Sequence, residues 1–480
     1  MNWSRFNKLF RSDHFGPFLY NALSNTLIEL DEPHYEILKS LNSGNDSTSI
    51  VLNDRDFNAL LREKLALVEP GEEEGQLVVQ QYQRHAYSFD SSDLDLTICP
   101  TLRCNFRCPY CFESSQADGK TMSQKTQKRL VDWITRHKKI KTFHVSWYGG
   151  EPLLAFKAIC ELTGKFKALD LNFDNADLIT NGYLLDKDRI TRLNDLKIVA
   201  IQITLDGPRE VHDSRRFLAG GGPTFDHILG NVANLMNSDY NGRCNIRVNV
   251  DRHNIQDYLD LRVSLLEQFK DTKLSVYPGF VDVSRDHSYG HGTCLNIGEW
   301  ADFNLEMYRE HSVPSPGGLY PEGPTGGMCI ATTHNGFVVG PEGELYKCFD
   351  DVGKTEMVVG NIHEEDPITN PVLRALYITG MDAYNDPECR SCEVLPICGG
   401  SCVNKRMRTR QYGEKGLPFC SPFKEHLREY LNAYIDAVRS KEVCSALFTP
   451  GRVEPDAKGY RVISPKMKVK EDAAECSKQS

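Results

Sequence analysis

The chain has 480 residues, 40% of them apolar, with 16 cysteines, a formal net charge of −10 and a pI near 5.8. At ~150 residues per domain the length suggests about three domains, and the acidic balance with no Lys/Arg-rich arm argues against nucleic acid as a partner. No apolar run reaches the ~20 residues that span a bilayer, and MNWSRFNKLFRSDHF lacks an apolar signal core, so the expected place is the cytoplasm, where cysteines serve metals rather than disulfides.

In chain order, residues 1–85 form a separate unit by pattern: FLYNALSNTLIEL reads as a strand-like run, and the helix that follows has Tyr35, Ile37, Leu38 and Leu41 as its apolar positions. The acidic stretch from Glu69 to Glu74 reads as a linker. From Leu94 the chain alternates short apolar runs with helix-like segments, as βαβ units do. Six strands are predicted at 94–98, 142–147, 176–180, 198–205, 245–250 and 273–277, with helices at 123–137, 153–169, 186–195, 224–237 and 255–269. The continuously apolar run 198–205 reads as a strand buried on both faces. Pro and Gly crowd 312–327 and mark a boundary, 424–438 reads as an amphipathic helix, and KMKVKEDAAECSKQS reads as a disordered tail.

After the first of these strands comes PTLRCNFRCPYCFE, with three residues between Cys104 and Cys108 and two between Cys108 and Cys111. Three thiolates satisfy three irons of a [4Fe-4S] cube and leave the fourth open, so an amino acid with free amino and carboxylate groups can chelate it. Zinc competes for close cysteines but recruits a fourth Cys or His, and no His follows at zinc-finger spacing. A lone CxxC suggests thioredoxin-like chemistry, to which Cys104 is foreign.

This spacing resembles that of the radical S-adenosylmethionine (radical SAM) superfamily, whose hallmark it is, in the loop after the first strand of a partial (β/α)6 barrel. The resemblance continues in WYGGEPLL, similar to the family's GGEP motif, and in ITNGYLLD, QITLDGPREVHDSRR and RVNVD. It implies that Cys104, Cys108 and Cys111 hold the catalytic cluster. It also implies that Tyr110, Gly149, Gly150, Glu151, Thr180, Asn181, Gln202, Arg216 and Asn249 contact S-adenosylmethionine, with Glu151 and nearby carbonyls receiving the methionyl ammonium and Arg216 pairing the carboxylate.

Seven further cysteines lie in 329–420: Cys329, then Cys348 with Gly343 before it across four intervening residues, then Cys389, Cys392, Cys398, Cys402 and Cys420. These intervals resemble the SPASM domain. By that resemblance Cys389, Cys392, Cys398 and Cys420 hold one auxiliary [4Fe-4S] cluster and Cys329, Cys348 and Cys402 another, whose fourth ligand is Cys294, another side chain, solvent or substrate. A zinc-ribbon-like knob is the structural alternative. Cys99, Cys160, Cys244, Cys444 and Cys476 fall outside both patterns and are assigned no chemistry.

The expected fold is therefore α/β: a partial (β/α)6 radical SAM barrel over 90–300, a winged-helix-like, PqqD-like peptide-recognition unit over 1–85, a SPASM domain over 301–440 and an extension over 441–480 with a disordered end. The resemblance implies a peptide maturase that installs a thioether, ether or carbon-carbon cross-link, taking electrons from a flavodoxin or ferredoxin and holding a precursor's leader as an added strand. A second reading is an anaerobic sulfatase-maturating enzyme, which makes formylglycine. Those enzymes carry an acid directly after the cysteine matching Cys348, where this chain has Phe349 followed by Asp350, the candidate base, and Asp351. A third, of another class, is a non-catalytic iron-sulfur scaffold that binds peptide.

Overall fold

A computed structural model describes residues 1–43, 54–111, 113, 119–137, 139–281, 292–313, 318–323, 329–414, 417, 419–444 and 459–463, with side chains described only to 439 in the segment ending at 444. The predicted tail, 466–480, and parts of the 312–327 boundary lie outside them.

Nine strands form one sheet. Asp93–Ile98 (β6), Thr142–Trp147 (β7), Asn172–Thr180 (β8), Ile198–Thr204 (β9), Arg243–Val250 (β10) and Leu274–Phe280 (β11) lie side by side in sequence order and run parallel. Each crossover carries helix, from Gln124–Ile134 to Ile255–Gln268, as parallel pairing demands. Leu94, Leu96, Ile98, Phe143, Val145, Trp147, Ile246 and Val248 point to the helices and make the main core. By alternation the other face carries Asp95, His144, Asp177, Gln202, Arg247 and Tyr277. β9 obeys the same rule: Val199 is 41% exposed, so the strand is not buried on both faces as its composition suggested.

The sheet continues past its first strand. Gly336–Val339 (β12) pairs parallel to β6, and Glu344–Tyr346 (β13) and Gly360–Asn361 (β14) follow antiparallel, so the cysteine-rich region is welded to the barrel's leading edge. The helix expected at 186–195 is only Lys187–Ile190, capped by Asp186, and that at 153–169 opens as a 3-10 turn, Pro152–Ala155, before Phe156–Lys167.

At the N-terminus, Asn2–Trp3 (β1) pairs antiparallel with Leu67–Val68 (β5), and Asn7–Ser12 (β2), Gly16–Asn21 (β3) and Thr26–Leu30 (β4) form an antiparallel meander. Leu19, Ile28 and Leu30 pack on Leu38, Phe57 and Leu61 of the helices Glu32–Asn42 and Arg55–Glu63. From the opposite face Phe10, Phe18 and Leu27 meet Leu395 and Ile397 of the cysteine-rich region and Leu427, Leu431 and Ile435 of the long helix Phe423–Cys444. The acidic stretch expected to be a linker instead opens the helix Glu72–Ser88, where acids complement the helix dipole. That helix docks through Arg84 Nη1, which donates to Gly399 O at 2.6 Å, and His85, paired with Asp382 at 2.7 Å. The segment Tyr460–Ile463 (β15) is a strand against β4. Among the described residues no helix is long and apolar enough to cross a membrane.

Candidate cofactor and cluster site

The end of β7 clamps the loop that follows β6. Gly150 N donates to Thr101 O at 3.2 Å and Glu151 N to Arg103 O at 2.8 Å. Any Cβ at Gly149, where φ is +116°, would stand 2.4 Å from Thr101 O, and one at Gly150 2.3 Å from Leu102 O. Glycine is therefore required on both counts, positive φ at the first and close backbone approach at the second.

This clamped loop delivers Cys104, Cys108 and Cys111, all half-buried. Burial pushes Cys104 and Cys111 up to about 12, and the three thiols feel one another's charge. Thiols so placed become thiolates by binding metal. Among the described residues the only trio of His, Cys, Asp or Glu whose ligand atoms all lie within 4.8 Å of one another is Glu306, Glu310 and His311. Three half-buried thiols on one loop fit a soft metal centre, and they would bind three irons of a [4Fe-4S] cube.

Glu151 is fully buried. Its Oε1 accepts from Leu153 N at 2.9 Å and from the Thr180 hydroxyl at 2.8 Å, and its Oε2 from Asn181 N at 2.8 Å. Three of about four acceptor positions are filled, so the carboxylate first pins the end of β8 to the end of β7 and has one lone pair left for an ammonium. Asn181 Nδ2 reaches back to Asn105 Oδ1 at 2.8 Å, tying β8 to the cluster loop.

A second network closes the far side. Arg216 Nη1 and Asn249 Nδ2 donate to the Tyr110 hydroxyl at 2.6 and 3.2 Å, and that hydroxyl donates to Asp206 Oδ2. Arg215 bridges Asp206 at 3.2 Å and Asp251 at 2.7 Å, both carboxylates fully buried. Two sealed atoms here lack a partner, Arg216 Nε and Asp206 Oδ1. One unpaired donor and one unpaired acceptor beside three thiols fit a zwitterionic amino acid. Gln202 Oε1 accepts from the Tyr277 hydroxyl at 2.5 Å. Sequence reasoning missed Arg215, Asp251 and Tyr277; a basic pair following a buried-strand Asp is a signal too common to single them out.

The cysteine-rich region reaches the same mouth. Tyr148, just before Gly149, packs on Phe349 with ring centroids 5.6 Å apart and shares its surroundings with Glu113, Cys111 and Asp350. Asp350 is a quarter exposed and 3.9 Å from Arg408 Nη1. Asp351 is buried and accepts from Tyr377 and from Asn404 Nδ2 at 3.0 Å, so of the two acids Asp350 is the more open. Glu113 was also missed: burial and then Asp350 raise its pKa to about 8.

Among the remaining thiols, Cys329 lies near enough to Cys348 and to Cys402 for its charge to raise both. Cys398 interacts with Cys389 and Cys392, and Cys389 with Cys420. Buried Arg406, not foreseen, donates to Cys389 Sγ at 3.2 Å, a contact of the kind that would tune the potential of a cluster held there. Cys294 is buried just before the helix Ile297–His311, while Cys99 and Cys244 are core side chains.

Residues 98–263 match the model of the radical SAM superfamily. The cysteine-type anaerobic sulfatase-maturating enzyme of Clostridium perfringens (strain 13) is 30% identical over 355 residues, covering 67% of this chain and 92% of that protein. The serine-type anaerobic sulfatase-maturating enzyme of Bacteroides thetaiotaomicron is 23% identical over 375 residues, covering 70% and 89%. The solved structure of native anSMEcpe with bound AdoMet superposes with a TM-score of 0.55 at 20% identity, covering 73% of this chain and 100% of that one, a likeness of fold.

Proposed function

Because the chain belongs to the radical SAM superfamily and is homologous to the anaerobic sulfatase-maturating enzymes, we propose that it is a peptide-modifying radical SAM enzyme that forms a side-chain cross-link in a ribosomally made precursor. The family uses S-adenosylmethionine and a [4Fe-4S] cluster, which together supply a 5′-deoxyadenosyl radical able to take a hydrogen atom from an unactivated carbon. Cys104, Cys108 and Cys111 hold that cluster. Arg216 would pair the cofactor's carboxylate, and Asp206 and Glu151 would receive its ammonium.

The observation that carries the reading is the Tyr148–Phe349 contact. It joins the cofactor mouth to the Cys348 loop, so a peptide side chain seated there lies between the radical source and an auxiliary cluster on Cys329, Cys348 and Cys402. A second auxiliary cluster on Cys389, Cys392, Cys398 and Cys420 would lie under the N-terminal sheet, against which three of these cysteines pack, and residues 1–85 would serve as the leader-binding unit. Asp350 takes the substrate proton, the auxiliary cluster on Cys329, Cys348 and Cys402 would accept the second electron, and a flavodoxin or ferredoxin in a reducing cytoplasm supplies the first. The closing of a cross-link loses two hydrogens per event, so mass spectrometry of a precursor co-expressed with the enzyme is the test.

Formylglycine formation on a sulfatase is the second reading, favoured by the relatives at 23 and 30% identity. It predicts that a Cys or Ser side chain becomes an aldehyde in the same experiment. Phe349, standing where those enzymes carry an acid by the resemblance above, favours the cross-linking reading, because an exposed aromatic ring accepts no proton.

A further inference from the structure

The N-terminal meander has a fourth strand that comes from the other end of the chain. β15 runs antiparallel to β4, with Tyr460 opposite Leu30 and Ile463 opposite Leu27, and Asp31 N donates to Gly459 O at 2.8 Å. A bare β4 edge would offer open backbone donors and acceptors to any extended segment. Here five residues fill it.

The seat is specific. The Tyr460 ring lies 4.8 Å from Phe57 and 5.5 Å from His34, centroid to centroid, on one face of the sheet. On the other face Ile463 is buried and Arg461 Nε donates to Glu29 Oε2 at 3.1 Å. Val462 remains 36% exposed. At Gly459, where φ is +81°, a Cβ would stand 2.2 Å from Asp31 Oδ2, so only glycine fits. The edge thus reads glycine, aromatic, basic, any residue, aliphatic. Recognition by strand addition works this way: the main chain gives affinity and alternate side chains give selectivity. The opposite edge, β2, is less open, since Arg428 Nη2 of the long helix donates to Arg11 O at 3.3 Å.

We propose that the β4 edge is the docking site for the precursor's leader, and that Gly459–Ile463 holds it in cis as a competitor. The occupant is an extended peptide segment with the pattern glycine, aromatic, basic, any, aliphatic, and the chain's own segment is its template. A four-residue ladder with two side-chain anchors and one ion pair is small enough to exchange. The leader meets a site open only for the fraction of time that β15 is away, so its apparent affinity falls by that fraction. The inference rests on the peptide-maturase reading, but its test uses neither cluster nor S-adenosylmethionine, so each can fail without the other.

The probe is the fluorescein-labelled peptide DAKGYRVISPK, residues 456–466 of this chain. Fluorescence anisotropy compares the full-length chain with its Tyr460→Glu/Ile463→Asp variant, in which both anchors are lost. The variant is expected to bind the probe about tenfold more tightly than the native chain, a factor that matches a site open roughly a tenth of the time. Adding Glu29→Arg removes that gain, and a probe in which the basic residue becomes Glu restores it. In the native chain, saturating probe raises amide hydrogen exchange at 460–463 while 27–30 stays protected, a readout that does not depend on the variant's folding. Equal affinity in both chains, or unchanged exchange at 460–463, overturns the proposal and makes β15 a fixed strand.

Discussion

Arg216 Nη1 donates to the Tyr110 hydroxyl at 2.6 Å, which joins the cluster loop to the turn after the helix Arg209–Arg215. The same hydroxyl donates to Asp206 and accepts from Asn249, so one phenol holds the ends of three elements around the cofactor mouth. Tyr110→Phe leaves all cluster cysteines in place. Iron content after reconstitution should not change, while S-adenosylmethionine affinity by calorimetry should weaken about tenfold, since a hydrogen bond to a charged group is worth ~1.5–3 kcal/mol. Unchanged affinity would mean that Arg216 needs no such anchor.

Glu151→Ala strips an acceptor from three buried donors at once: Leu153 N, Asn181 N and the Thr180 hydroxyl. Each orphaned group costs about 1–3 kcal/mol. The cluster-free chain should therefore lose several kcal/mol in urea unfolding, and an equal stability would contradict the role given to this carboxylate.

Gly149→Ala forces a Cβ to within 2.4 Å of Thr101 O at a φ of +116°. The strain is about 1–3 kcal/mol or more, and it is relieved only by moving the loop that carries Cys104. We expect fewer irons per chain after anaerobic reconstitution, whereas Gly164→Ala, where nothing lies within 4 Å, should load normally.

His212 gives a pH signature. Burial, then the positive charge of Arg216, pushes its pKa down to about 3. Its Nδ1 accepts from Asp206 N at 3.3 Å, and because the Thr224 hydroxyl donates to Arg216 O, Nε2 carries the proton toward Thr224. The folded pKa lies below the unfolded value of ~6.5, so the unfolded chain binds the extra proton, and this stability is full above that pH and falls as the pH drops toward 3. Between pH 7 and pH 5 the native chain should lose about 2 kcal/mol more than His212→Gln. Equal losses in urea titrations would contradict the assignment.

The six parallel strands were legible because helix-facing residues such as Phe143, Val145 and Trp147 alternate with polar ones. β11 runs three residues beyond its predicted end at 277, through Pro278 and Gly279, because it is an edge strand, where a missing N–H can face away from the ladder. β12, β13 and β14 escaped notice since two to four residues carry no period, and the partner of β12 lies some 240 residues upstream, a pairing no local pattern encodes. β15 hid for the same reason. At the site, spacing alone offered Cys104, Cys108 and Cys111 as candidate ligands, but the burial of Glu151 under three donors and the partnership of Arg215 with Asp251 come from packing between strand ends.

The central claim is that three thiols seat a cluster whose open iron activates S-adenosylmethionine. The direct measurement is 5′-deoxyadenosine released by anaerobically reconstituted protein given dithionite and S-adenosylmethionine. The native chain should release it and Cys108→Ala should not, although the variant keeps the seven cysteines of 329–420. A fully iron-loaded native chain that releases none, or a Cys108→Ala chain that releases as much, would contradict the account.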